Sequence, residues 1–211
     1  MKTQSKLRSR WLNLWNRLGL SGDPYVWFDL LNEHYRQKHR FYHTWAHIEH
    51  GLFLIDVCRS DLIEPELVEL AWWFHDVIYE TSLEALNDRN RKSNEEQSAD
   101  LACSLLDDSR LRMLIMTTTH KQIPTDPDAQ FISDIDLAIL GEDPKMFDRY
   151  DLNIHKEYAH IPEKTRRIVR RAILEQFLKR DPLYHHLRIR RLYENGARKN
   201  LTRAIEKLTP A

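Results

Sequence analysis

Apolar residues in this chain recur every three or four positions and nowhere alternate over a convincing length. Leu7, Trp11, Leu14, Trp15 and Leu18 make one such stripe, the pattern of a helix with one buried face. A chain that keeps this period throughout is expected to be all-α, with helices packed on helices. Its punctuation agrees. Only 5 Gly and 8 Pro stand among 211 residues, which excludes a turn-rich β fold and low-complexity disorder. The 42% hydrophobic content suffices for a sizeable core. We expect one domain, 1–211, of about eight to ten helices.

Breaks in the pattern place the elements. Asp23-Pro24 ends the first stripe, with Pro24 suited to a first helical turn, and the next helix runs to about Tyr35. The polar segment Arg36–Arg40 leads to a helix predicted from about His43 to Cys58. Glu64-Pro65 opens a helix that is apolar on most sides through Trp72, Trp73, Phe74, Val77 and Ile78, so it is expected to be central. Residues 80–92 read as a loop. Ser93 precedes Glu96 by three, a capping-box spacing that starts another helix. A helix from Ser109 to about Thr119, a loop over 120–129 and a short apolar helix from Phe131 to Leu140 follow. Gly141 is expected to be the C-terminal cap of that last helix. Asp143-Pro144 and Ile161-Pro162 mark further starts, and Asp181-Pro182 and Asn195-Gly196 further breaks.

Charge and cysteine narrow the classes. Lys and Arg balance Asp and Glu at 32 each, so nothing global points to nucleic acid. The basic start, Met1 to Arg10, lacks the apolar run of a secretory signal. No window approaches the ~18 consecutive apolar residues of a membrane span. Two cysteines, Cys58 and Cys103, exclude a disulfide scaffold or a Cys-rich zinc module and read as reduced core thiols. A cytoplasmic location is expected. Trp11, Trp15 and Trp72 sit at core spacing.

Histidine supplies the first hint of chemistry: of 11 in the chain, five lie between positions 34 and 50. Spacings of four and three place His43, His47 and His50 on one face of the predicted helix. His75-Asp76 falls near the end of the most apolar helix, where a carboxylate is costly unless paired or metal-bound. Asp134 and Asp136 stand two apart inside an apolar run. One of them can cap a helix, which leaves the other to be satisfied as a ligand. Such a set of nitrogen and carboxylate donors suits a divalent Mn, Co, Ni, Fe, Mg or Zn ion without choosing among them.

These motifs carry a resemblance. Arg40-Phe41-Tyr42-His43-Thr44-Trp45-Ala46-His47, Trp73-Phe74-His75-Asp76-Val77-Ile78-Tyr79, Asn94-Glu95-Glu96-Gln97 and Ser133-Asp134-Ile135-Asp136-Leu137 stand in that order. The series resembles the HD-domain superfamily of metal-dependent phosphohydrolases, whose pattern is H…HD…D on a helical bundle, over roughly residues 10–180. The resemblance implies a motif core at about 40–141, with the basic helices of 163–211 packed on it. It also implies hydrolysis of a phosphate ester by metal-activated water, with nucleotides among the candidate substrates.

Roles follow position by position. His75 and Asp76 match the superfamily pair. Tyr42-His43-Thr44-Trp45-Ala46-His47 is similar to the Tyr-His-Asn-x-x-His string of cyclic nucleotide phosphodiesterases, although Thr44 replaces the Asn. That match makes His47 a metal ligand and His43 the acid for the leaving oxygen; an exchange of the two roles stays open. Asp136, followed by Leu137, is the implied last ligand, with Asp134 the alternative. Asp76 can also orient or deprotonate the attacking water. Glu95 is a further candidate for that task, whereas Glu96 fits the capping box. His120 matches the place of a second-metal histidine in some relatives of that superfamily, and a di-iron oxygenase would require it. Arg40 and Lys121 flank the motifs as solvated residues or phosphate grips. A last alternative is a non-catalytic module that binds nucleic acid or another anion through residues such as Lys164, Arg166, Arg167, Arg170 and Arg171.

Overall fold

The computed structural model describes residues 2–209; Met1, Pro210 and Ala211, the ends of the expected domain, lie outside the described residues. All regular structure among the described residues is helical. In chain order the α-helices are α1 (Lys2–Leu18), α2 (Pro24–His34), α3 (Trp45–Cys58), α4 (Pro65–Phe74), α5 (Leu83–Asn87), α6 (Asn94–Leu105), α7 (Ser109–Met116), α8 (Pro127–Asp136), α9 (Pro144–Glu157), α10 (Glu163–Leu178) and α11 (Leu187–Leu208). Single 3₁₀ turns occupy Arg59–Asp61, Thr117–Thr119 and Ala138–Gly141. None of the described helices is long and apolar enough to cross a membrane. The backbone divides into two compact units. The first comprises the described residues to Glu80 with Lys92–Ile123, and the second comprises Thr81–Arg91 with the described chain from Pro124.

In the first unit α4 is the central element. Pro65 occupies its first turn, and every residue from Leu67 to Phe74 is buried, as the all-round apolar pattern predicts. Trp11 of α1 meets Trp73 edge-on, ring centroids 5.5 Å apart, and donates its indole N–H to the Pro24 carbonyl at 2.8 Å. Trp11 and Trp72 are fully buried and Trp15 nearly so, each such aromatic contributing about 1.5–3 kcal/mol by removal from water. The exception on α4 is Glu69, a carboxylate only 1% exposed. It is satisfied by Arg10 at 2.7 Å, Arg17 at 3.2 Å and Arg59 at 3.3 Å.

Helices α3 and α4 approach closely at Gly51, where a Cβ atom would fall inside the Trp72 indole. Trp72 Nε1 donates to the Ile48 carbonyl at 2.9 Å across the same contact. Farther along the chain, the predicted capping box opens α6: Glu96 N–H donates to Ser93 Oγ, and Ser93 N–H donates to Glu96 Oε2.

Four boundaries differ from the sequence expectation. Helix α8 opens at Pro127, inside the expected 120–129 loop, because Asp126 caps it, and it ends at Asp136, short of the expected Leu140. The other three are as follows. The third helix begins at Trp45, because Thr44 takes the N-cap and accepts from the Ala46 N–H. The fourth ends at Phe74 with His75 as its cap, so Val77 and Ile78 are not helical. The segment 80–92 is no plain loop: Ser82 caps α5 by accepting from the Ala85 N–H.

The second unit packs α11 along the Ala138–Gly141 turn. Asn200 donates to the carbonyls of Leu140 and Glu142, each at 2.9 Å, and the Tyr184 hydroxyl donates to the Leu137 carbonyl at 2.9 Å. Two glycine expectations are corrected here. Asn195-Gly196 does not break the chain, since α11 runs through it. Gly141 is not a left-handed cap, because φ is positive only at Gly19 and Gly22 among the described glycines. Both glycines serve close approach instead. A Cβ at 196 would collide with the Gly141 carbonyl, and a Cβ at 141 with the Tyr193 backbone.

Candidate metal centre

The helix ends of the first unit bring three of the expected ligands together. His47 lies in the first turn of α3 and His75 caps α4; both are buried. Asp76 follows where the chain leaves the helix, its side chain 17% exposed. The Nε2 atoms of His47 and His75 are 3.1 Å apart. Asp76 Oδ2 lies 3.0 Å from His75 Nε2 and 3.5 Å from His47 Nε2. These three side chains can jointly hold a metal ion.

The local hydrogen bonds say which atoms face the centre. His75 Nδ1 is 2.9 Å from the Trp72 carbonyl, and a carbonyl only accepts, so Nδ1 carries the proton. Nε2 is therefore the ring atom that faces His47 and Asp76, and the atom that would coordinate a metal ion held there. This is the tautomer locking found at histidine ligands. The Trp72 indole also stacks on the His75 ring, centroids 4.1 Å apart, and fixes its plane. Two imidazole nitrogens and a carboxylate oxygen converging in this way suit a divalent ion of intermediate softness.

His43 sits before the helix, not on its face, because Thr44 is the cap. It nevertheless reaches the cluster: its Nε2 is 4.0 Å from Asp76 Oδ2, and its side chain is 17% exposed. The His43 ring packs against Tyr79, centroids 4.2 Å apart, and against Tyr42 at 5.0 Å. His50 lies in α3, one turn beyond His47.

The other expected residues are placed as follows. Glu95 is half-buried in the first turn of α6, next to the capping-box Glu96. His120 ends the Thr117–Thr119 turn with a left-handed backbone, φ 53°. Lys121 is exposed. Arg40 is neither solvated nor turned outward: it is buried and bonded to backbone carbonyls.

In the second unit the paired acids separate. Asp134 is buried, and its Oδ2 accepts the N–H groups of His185 and His186 at 2.7 and 2.6 Å. Burial pushes its carboxyl up to about 7, against the opposing pull of those two amides. Its place in the fold is thus explained without a metal. Asp136 is the last residue of α8 and half-buried. The basic residues of α10 and α11 are largely engaged within the unit. Arg170 meets Asp151 at 2.9 Å, Arg171 meets Glu175 at 2.7 Å and Arg203 meets Asp148 at 2.6 Å.

Two contributors escaped the sequence analysis. The Trp72 carbonyl acts through backbone, which residue type does not reveal. Gly51 left a signal, a lone glycine inside a helical pattern, one turn from a candidate ligand. No family model matches the chain, and no curated protein or solved structure matches it.

Proposed function

We propose that this chain is a metal-dependent phosphohydrolase of the HD type, acting on a phosphate ester. The observation that carries the reading is the convergence of His47 Nε2, His75 Nε2 and Asp76 Oδ2, with the His75 tautomer held by the Trp72 carbonyl. His47, His75 and Asp76 are the proposed ligands from the first unit, and Asp136 is the proposed fourth. Asp136 is preferred because Asp134 is already committed to two backbone amides.

A divalent ion, when bound, supplies Lewis acidity toward phosphate oxygens and water. The remaining work falls to side chains. His43 is placed to hold a proton for the leaving oxygen, being partly exposed and close to Asp76. Asp76 and Glu95 orient water or accept its proton. Nucleotides remain the first substrates to try. Cys58 and Cys103 are not joined in a disulfide, and a cytoplasmic location is part of the proposal.

The test is phosphate release from a panel of nucleotides and simple esters, with Mn, Co, Ni, Fe, Mg and Zn supplied in turn and Asp76→Ala as control. Release confined to one ester class and absent in the variant supports the proposal. No release with any metal rejects it, and iron content with oxygen consumption then tests the oxidative alternative.

A further inference from the structure

Arg40 is the least expected residue near the centre. Only 5% exposed, it is a cation almost wholly withdrawn from water, which requires compensation. Its Nη1 donates to the Asp76 carbonyl at 2.6 Å and to the His43 carbonyl at 3.3 Å. Its Nη2 donates to the Val77 carbonyl at 2.7 Å, and Nε to Gln37 Oε1 at 3.0 Å. The guanidinium carbon lies 5.3 Å from the centre of the Tyr35 ring and 5.4 Å from that of Tyr79, both favourable for a cation over an aromatic face.

The acceptors decide what this arginine does. Asp76 and Val77 follow directly on α4, where carbonyls lack helical partners. His43 lies on a different segment, before α3. One planar fork therefore fixes the backbone of the carboxylate that faces the histidines and of the histidine placed as acid. With Nε, Nη1 and Nη2 all donating to protein oxygens, the group is committed to the fold and not to gripping phosphate. A lysine would reproduce the charge but not the fork.

We propose that Arg40 is a positioning residue for the metal centre: it sets the Asp76 and His43 backbones together, and its loss weakens metal binding without any contact to the ion. The inference rests on the metal reading above. Groups that orient ligands in this way typically cost about 10–100-fold in metal affinity when removed.

The experiment is a calorimetric titration of the full chain with cobalt, alongside far-UV circular dichroism and a melting curve for each variant. Arg40→Ala should keep its helical signal and bind cobalt about 10–100-fold more weakly. Arg40→Lys should fall between it and the wild type. Ethylguanidinium at millimolar concentration should restore part of the alanine variant's affinity, which a purely global loss of stability would not allow. A folded Arg40→Ala that binds cobalt like the wild type overturns this inference and leaves the metal reading intact. A wild type that binds no cobalt overturns the metal reading and this inference with it. If Arg40→Ala does not fold, Arg40→Lys and Gln37→Ala decide. Each should bind several-fold more weakly, and unchanged affinity in both overturns the inference.

Discussion

His47 and His75 hold their Nε2 atoms 3.1 Å apart inside the first unit. The other ring nitrogen of His75 donates to the Trp72 carbonyl, which leaves Nε2 as the atom to meet a cation. A cation between the two rings replaces a constrained contact by two coordinate bonds. Divalent metal should therefore raise the melting temperature, and a chelator should reverse the effect. At a hundredfold excess over Kd the stabilisation is about 2.7 kcal/mol. His75→Ala and His47→Ala should each abolish the metal-dependent shift; a shift that survives either change would place the ion elsewhere.

Neighbouring residues on α6 should separate cleanly in function. Ser93→Ala removes one half of the capping box and should cost about 1 kcal/mol in unfolding free energy, with turnover per folded molecule unchanged. Glu95→Gln should leave the melting curve in place and lower turnover. Equal turnover in Glu95→Gln and wild type would remove Glu95 from the mechanism.

Glu69 sits among three guanidinium groups with almost no access to water. Glu69→Gln keeps the shape but strands like charges. The three guanidinium groups are 23–43% exposed and keep Asp56 and Glu66 as partners, so chemical denaturation should show a loss of about 1.5–3 kcal/mol, that of a charge-assisted hydrogen bond. A loss below about 1 kcal/mol would mean that the network behaves as a surface one.

Asp134 should make stability depend on pH. Its carboxyl is raised by burial to about 7, so the folded form holds a proton that the unfolded chain releases near pH 4. The associated stability is complete below that lower value and is lost as pH rises through about 7. The span is about three pH units, at most about 4 kcal/mol. Asp134→Asn retains an acceptor for both amides and removes the titration. The wild type should thus gain on the variant as pH falls from 8 to 5, read as a difference in melting temperature. A constant difference would show that this carboxyl ionises in its ordinary range.

The helices were legible because their signals are local. Asp23-Pro24, Ser93 with Glu96, and Asp143-Pro144 each act through backbone within one turn. The all-round apolar run at 67–74 marked the central helix correctly. Some errors were local, where the caps Thr44, Ser82 and Asp126 were passed over, and others arose where distant segments decide. The chain leaves α4 at His75, where Arg40 takes the next carbonyls. Gly141 and Gly196, 55 residues apart in sequence, owe their identity to each other's backbone and to Tyr193, and turn chemistry misread them. At the centre, residue type and spacing singled out His43, His47 and His50 together with His75-Asp76, and the preference for His47 as a ligand came from the resemblance. The structural role of Asp134 was not, since its partners are main-chain amides at 185 and 186. Arg40 was misread for the same reason: a carbonyl acceptor has no letter in the sequence.

Gly51 lies one turn past His47, and its contact, Trp72, lies one turn before His75. The missing side chain therefore acts as a gauge block between two rods. It sets the gap between the helices from which both imidazoles project, so the spacing of the two rings is shaped by an atom that is not there. Enlarging residue 51 by one methyl group would drive into the Trp72 indole and so change the spacing of His47 and His75 with both side chains still in place.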